Sequence, residues 1–323
     1  MAASRKLISV VGATGSQGGG LVRAILADPD QQFSVRALTR SAQSAGAREL
    51  VAAGAEIVEA DLDDGSSLRR AFDGAHGVFL VTNYWAELSA EEEARRTRAG
   101  RELEQVDTAA LAARQAGVSH VIWSTLEDTR DFFGSDERVP TVDGHYKVPH
   151  FDAKAEADGV LREYDVPTTF LRTTLFFEGF TGALAPSRGD DGTLRLTVPI
   201  ADQPMSGIAV VDIGRTALQI FKRDSEFLGT TLSIAGDHLT GEQYADALSD
   251  AYGEPVVYQP LTWDAFRSQG FPGAVEMGNM FQYYAENSAR FVGDRDLAKV
   301  REINPDLQSF RDWLGRQSSP VAS

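Results

Sequence analysis

The chain reads as an α/β protein built on a Rossmann-type doubly wound parallel sheet, with a smaller mixed α/β C-terminal lobe. Three observations predict this. Short apolar runs alternate with helical patterns through the first half. A glycine-rich turn, "GATGSQGG", sits directly between the first apolar run and the first helical pattern. After residue 236 helical patterns dominate. The expected division is 1–171 plus about 203–235 for the nucleotide-binding domain, with about 172–202 and 236–323 forming the smaller lobe.

Strands are expected at Lys6–Val11, Phe33–Thr39, Glu56–Ala60, Gly77–Thr82, His120–Ser124 and Thr168–Arg172, each a short apolar run bounded by polar or turn residues. The clearest helix is Ala90–Ala116: Ser89 is an N-cap, "EEE" places acids in the first turn, and Gly117 ends it. Residues 127–149 show no periodicity, and so long a loop in a compact domain is a functional lid or a disordered segment. Further on, "TLRLTVPI" and "TTLSIAG" read as strands. "VVDIGRTALQIF", "TGEQYADALSDAY", "LTWDAFRSQ" and "LQSFRDWLG" read as helices, and the tail "QSSPVAS" as frayed. No internal repeat or low-complexity tract interrupts this order.

With 323 residues the chain suits one large domain or two modest ones. Hydrophobic residues at 42% and charged residues at 24% are ordinary for a soluble globular protein. A net charge of −16 argues against a nucleic-acid partner, which relies on a basic face. It leaves room for an anionic cofactor held by backbone N–H groups and one arginine. The absence of cysteine rules out disulfides, thiol chemistry and cysteine metal sites, and suits a reducing compartment. No apolar run approaches the roughly 18 residues of a membrane span. The start, "MAASRKLISVVGATG", reads as a buried strand and not as a signal peptide, because the glycine turn follows at once. A cytoplasmic monomer or homodimer is expected. Of the five histidines only His145 and His150 lie close in sequence, so no metal site is expected, and no G-x-S-x-G elbow supports hydrolysis.

Gly12, Gly15 and Gly18 form G-x-x-G-x-x-G between strand and helix. Glycine there permits a tight turn, close backbone approach to a pyrophosphate and helix–strand packing, so phosphates are expected against the backbone of Thr14, Gly15, Ser16, Gln17 and Gly18. The second strand ends in Thr39 and Arg40 with no acid. An arginine there pairs with a 2′-phosphate, so NADP(H) is preferred and NAD(H) remains possible. "VEADLDD" offers Asp61 and Leu62 to an adenine, although Asp61 also suits a helix N-terminus. "FLVTNYW" brings Thr82, Asn83 and Tyr84 to the carboxyl edge of the sheet, where ligands lie in open α/β folds, with Trp85 beside them.

Together, "GATGSQGG", "LTR", "ADLDD", "VTNYW", "HFDAK", "FFEGF" and "NMFQYYAE" resemble the NmrA-like family of atypical short-chain dehydrogenases, nearest its HSCARG-type branch of dinucleotide redox sensors. The resemblance covers nearly the whole chain. It implies a Rossmann domain with a small substrate or partner lobe, and NAD(P) binding often selective for NADP(H). It covers both redox-dependent regulators and NADPH-dependent reductases. Two departures stand out: "SAQS" after Arg40 carries no second basic group, and Thr173 and Thr174 stand where the family usually has proline.

Catalytic short-chain dehydrogenases keep a tyrosine four residues before a lysine that holds the nicotinamide ribose. Here Lys154 is in place, but its partner is His150, and Tyr146 lies eight residues away. Ser124 and Thr125 match the end of the strand where the parent family binds a carbonyl oxygen. His150 is either a proton donor, since imidazole titrates near neutrality, or a helix-start cap or packing group. One reading is therefore a redox-sensing regulator that reports to a protein partner. The other is a reductase of a small carbonyl, enone, quinone or imine, with a pocket of Tyr84, Trp85, Thr125, Phe176 and Phe177.

Overall fold

The computed structural model describes residues 5–317, so the tail expected to fray lies from Ser318 on outside the described residues. The first half runs β1 (Lys6–Val10), α1 (Ser16–Ala27), β2 (Phe33–Thr39), α2 (Ala45–Ala52), β3 (Glu56–Glu59), α3 (Gly65–Phe72) and β4 (Gly77–Leu80). It continues through α4 (Ala90–Arg95), α5 (Arg98–Ala116), β5 (His120–Thr125), α6 (Arg130–Phe133), α7 (Pro149–Glu163) and β6 (Thr168–Arg172). Then come β7 (Leu175–Phe176), β8 (Ser187–Arg188), β9 (Leu194–Leu196), β10 (Met205–Ile208), α8 (Val210–Arg223), β11 (Thr231–Ser233) and β12 (Asp237–Leu239). The chain closes with α9 (Gly241–Tyr252), β13 (Val256–Tyr258), α10 (Trp263–Arg267), α11 (Ala274–Glu286), α12 (Ser288–Gly293), α13 (Leu297–Ile303) and α14 (Phe310–Leu314).

Two compact units emerge. The first comprises residues up to Asp128, Ala153–Arg172 and Ile213–Leu232. The second comprises Thr129–Asp152, Thr173–Asp212 and residues from Ser233 on. Residues 129–152, expected in the nucleotide-binding portion, group with the second unit.

The large sheet has the order β11-β6-β5-β4-β1-β2-β3. Its β1–β2, β1–β4, β2–β3, β4–β5 and β5–β6 pairs are all parallel. This is the Rossmann-type doubly wound arrangement the strand–helix alternation predicts. Strand order reverses between β1 and β4, and open sheets of this type bind ligands outside the carboxyl ends at such a point. Leu68, Phe72, Val106, Trp123 and Phe170 belong to the apolar layer on one face. Helices α1 and α8 meet so closely that a Cβ on Gly214 would lie 2.4 Å from the backbone of Gly20, which explains part of the run of glycines after Gln17. The second unit holds two small sheets, β12-β10-β7 and β13-β9-β8, and an aromatic core in which Phe177 packs on Phe310 and Trp313. No helix among the described residues is long and apolar enough to cross a membrane.

The single helix expected over Ala90–Ala116 is two. Arg96 leaves the helical region with φ −152° and ψ 152°, and Thr97 starts a new N-cap by accepting from the Gly100 N–H. The Arg96 guanidinium is held at the break by Asp63, Glu92 and Glu104 at 2.6–3.1 Å. α4 buries no residue, and the break at Arg96 and Thr97 carries neither glycine nor proline to announce it, so the sequence offered no signal of the second cap.

Nor are residues 127–149 disordered. Asp152, fully buried in the first turn of α7, accepts from the N–H groups of Thr129 (2.7 Å), Lys147 (2.8 Å) and Val148 (3.0 Å), and from the Thr129 hydroxyl (2.6 Å). Lys147 donates its ammonium to the carbonyls of Asp136 and Val139. Asn279 of α11 donates to the carbonyls of Pro140 and Lys147. A segment without periodicity is thus ordered by polar side chains that satisfy its own backbone. Asp152→Ala should strand three buried N–H groups and destabilise the protein by about 3–5 kcal/mol. Limited proteolysis should then cut first within residues 130–147; an unchanged cleavage map and denaturation midpoint would refute this role.

Candidate functional site

The glycine turn starts the site. Gly12 has φ +66°, a left-handed conformation that side chains disfavour. A Cβ on Gly18 would stand 2.5 Å from the Gly12 carbonyl oxygen, so nothing larger than glycine fits there. Gly15 is the N-cap of α1, and no side chain caps the first-turn N–H groups. Thr14, Gly15 and Ser16 are exposed residues, and the Gly15 N–H closes the turn onto the Gly12 carbonyl at 2.9 Å. Open donors at the positive end of a twelve-residue helix fit a pyrophosphate. Gln17 ties the turn to β5, where the Ser124 hydroxyl donates to its Oε1 at 2.7 Å.

Lys154 is buried, and its charge is matched in place. Its Nζ donates to Glu102 Oε1 at 2.6 Å, to Thr82 Oγ1 at 2.6 Å and to the Thr82 carbonyl at 3.4 Å. The Thr82 hydroxyl in turn donates to Glu102. The ammonium also lies 5.0 Å from the centroid of the Trp123 indole, a favourable cation–π position. Glu102 was not foreseen, although its signal is present. It falls on the stripe Ala99, Glu102, Val106, Ala109 and Ala113, all buried, so a carboxylate interrupts an apolar face at helical spacing.

A second unforeseen carboxylate, Asp158, lies one turn beyond Lys154. Its Oδ1 accepts from the Trp123 indole at 2.9 Å and from the Thr125 hydroxyl at 2.8 Å. Burial pushes Asp158 up to about 6, against the opposing pull of those bonds and the nearby Arg162 and Arg172. Thr125, expected to line a pocket, is fully buried and braces Asp158. Phe177 is also core, with no exposed surface, while Phe176 is half-buried. Tyr84 is buried and meets the exposed Trp85 edge to face, centroids 5.2 Å apart. Asn83 is exposed; its carbonyl and that of Ala86 accept from Arg101 at 3.1 Å, which braces this loop.

At the opposite end of the sheet edge, Arg40 is exposed and Thr39 turns its hydroxyl onto the backbone of Ser41. Asp61 accepts from the Asp63 N–H at 3.0 Å, and Leu62 is half-buried beside it. The N-cap of α3 is Asp64, so the helix-start role considered for Asp61 belongs three residues later.

His150, in the second unit, is locked to an unforeseen partner. Glu276 Oε1 receives its Nδ1 at 2.5 Å and its backbone N–H at 2.6 Å, and both side chains are buried. Tyr146 remains in the loop, bridged to Val142. No group of three His, Asp or Glu residues suited to a metal occurs among the described residues.

The parallel sheet, its switch point and the glycine turn define a Rossmann-type α/β protein. Matched over residues 4–314, the chain belongs to the NmrA-like family. It is 27% identical over 343 residues to the NmrA-like family domain-containing oxidoreductase lnaB of Aspergillus flavus, covering 97% of this chain and 98% of that one. Its fold is similar to that of NmrA, a negative transcriptional regulator solved with NADP, with a TM-score of 0.77, 22% identity, and 98% and 96% of the two chains covered. It is similar also to Citrobacter sp. triphenylmethane reductase complexed with NADP(H), at a TM-score of 0.73 and 17% identity over 96% and 99% of the chains.

Two expectations follow. Removing one member of a buried ion pair costs about 3–5 kcal/mol, because the other charge is stranded. Glu102→Gln should therefore destabilise strongly, and adding Lys154→Met should recover most of the loss in a denaturant double-mutant cycle. Additive losses would mean that the pair is not coupled. For Asp158, an unfolded carboxyl titrates near 4, so between about pH 4 and pH 6 the folded state holds the extra proton and stability falls as pH rises. Asp158→Asn should flatten that decline in thermal melts across the window; parallel wild-type and variant curves would sink this reading.

Proposed function

We propose that this protein binds NADP(H) in preference to NAD(H) and acts as a redox-state-sensing regulator without the usual tyrosine–lysine catalytic pair. The observation that carries the reading is the environment of Lys154. A lysine that lowers the pKa of a phenol needs that phenol beside it. Here its three protons point to Glu102 and Thr82, and the position four residues earlier holds a histidine bound to Glu276. The weakest of its contacts is the 3.4 Å one to the Thr82 carbonyl, and that proton is the one to offer a ribose hydroxyl. Gly12 to Gly18 would receive the pyrophosphate, Arg40 the 2′-phosphate, and Asp61 with Leu62 the adenine. NmrA, solved with NADP and with NAD, supports dinucleotide binding as a family habit, and its description as a transcriptional regulator supports a signalling role. The partner on this reading is a regulatory protein, and the setting cytoplasmic.

A second reading, an NADPH-dependent reductase of a small carbonyl, enone, quinone or imine, is favoured by the His150–Glu276 pair. A buried carboxylate that orients an imidazole is a common device for proton delivery. The naming of lnaB as an oxidoreductase supports it as well. A bound dinucleotide would supply hydride; the chain would supply the proton and hold the acceptor.

One set of titrations separates these readings. The wild type should bind NADPH more tightly than NADH, and Arg40→Ala should weaken NADPH about tenfold or more while sparing NADH. A carbonyl, enone, quinone and imine panel should leave NADPH unoxidised. Rapid oxidation that collapses in a folded His150→Gln variant, with NADPH affinity unchanged, would replace the regulator with the reductase.

A further inference from the structure

Arg40 is not the only charged group at the end of β2. The parallel register sets Glu59, the last residue of β3, opposite Thr39. Its carboxylate reaches across the sheet edge and accepts from the Ala42 N–H at 2.8 Å. Ala42 belongs to the short loop between Arg40 and Ser44, the N-cap of α2. Two other N–H groups there are committed locally. The Ser41 N–H donates to the Thr39 hydroxyl, and the Ser44 N–H to the Ser41 carbonyl. The Ala42 N–H therefore already holds an anionic oxygen, supplied from within the chain, two residues from the arginine assigned to a 2′-phosphate.

On the dinucleotide reading above, on which this step rests, we infer that Glu59 is a specificity-determining residue that opposes Arg40. Toward a 2′-phosphate it is a like charge and a competitor for the Ala42 N–H. Toward a free 2′-hydroxyl it is an acceptor, the role an acid at the end of the second strand plays in NAD-binding Rossmann domains. Glu59 and Arg40 are both exposed, so solvent screens the repulsion and holds its effect to a modest factor. The two residues thus leave a site that takes both cofactors with a bounded preference for the phosphorylated one. Reading the second strand alone overlooks this, because the acid stands on the neighbouring strand.

The test is calorimetric titration of NADPH and NADH into wild type, Glu59→Gln, Glu59→Ala and Arg40→Ala at low salt. Glutamine keeps an acceptor for the Ala42 N–H and removes only the charge. Glu59→Gln should tighten NADPH about fivefold and weaken NADH about twofold, so the ratio of the two dissociation constants rises about tenfold. The shift should shrink in high salt. A ratio unchanged in Glu59→Gln, with Arg40→Ala still abolishing the preference, overturns the role of Glu59 and leaves that of Arg40 intact. A change seen in Glu59→Ala but not in Glu59→Gln also overturns it, since loosening of the loop and not charge would then be responsible. Wild type that binds neither dinucleotide overturns the functional reading and this inference together.

Discussion

A lysine ammonium buried at the carboxyl edge of a parallel sheet must be neutralised where it stands, and the carboxyl edge of the first unit is arranged around that need. Desolvating an isolated ammonium is far more costly than any single contact repays, so Lys154 requires a carboxylate at contact distance. Glu102 provides it from α5, which places a polar residue on an otherwise apolar stripe. Thr82, two residues past β4, takes part in both halves of the pair, donating to the carboxylate and accepting from the ammonium. The three side chains therefore fix the relation of a strand end to two helices at the edge where the fold binds ligands.

Helix α7 buries two further ionisable groups, Asp152 and Asp158, beside Lys154. Asp152 is satisfied almost wholly by backbone N–H groups, which lets it fold a segment that lacks any periodicity of its own. Lys154 is satisfied by an opposite charge. Asp158 has an indole and a hydroxyl as hydrogen-bond donors; burial raises both carboxyls, and pushes Asp158 up to about 6. Three ionisable groups within seven residues thus meet three different environments. Those environments decide which group organises backbone, which pairs with an opposite charge and which braces an indole and a hydroxyl.

Much of the site was legible along the chain because its parts are local. The glycines act on their own turn and helix, and Arg40 follows directly from the strand that ends at Thr39. Helix Ala90–Ala116 was misread because the cap at Thr97 and the extended Arg96 fall in a run of charged residues that holds neither glycine nor proline. The burial of Thr125 and Phe177 was hidden for a related reason. Position after a strand says where a residue emerges but not whether Asp158, or Phe310 and Trp313, stands behind it.

By itself the sequence determined the Rossmann-type sheet, its glycine turn, the family, and the presence of a lysine without its tyrosine. All of these depend on periodicity, on backbone conformations open only to glycine, or on residues a few positions apart. Only the tertiary structure decided the partners. Glu102 for Lys154, Glu276 for His150, Asp158 for Trp123 and Thr125, and Glu59 for the loop after Arg40 all lie 17 or more residues from the groups they serve. Electrostatic and hydrogen-bond energies depend on separation in space and on local burial, and neither is a function of spacing along the chain.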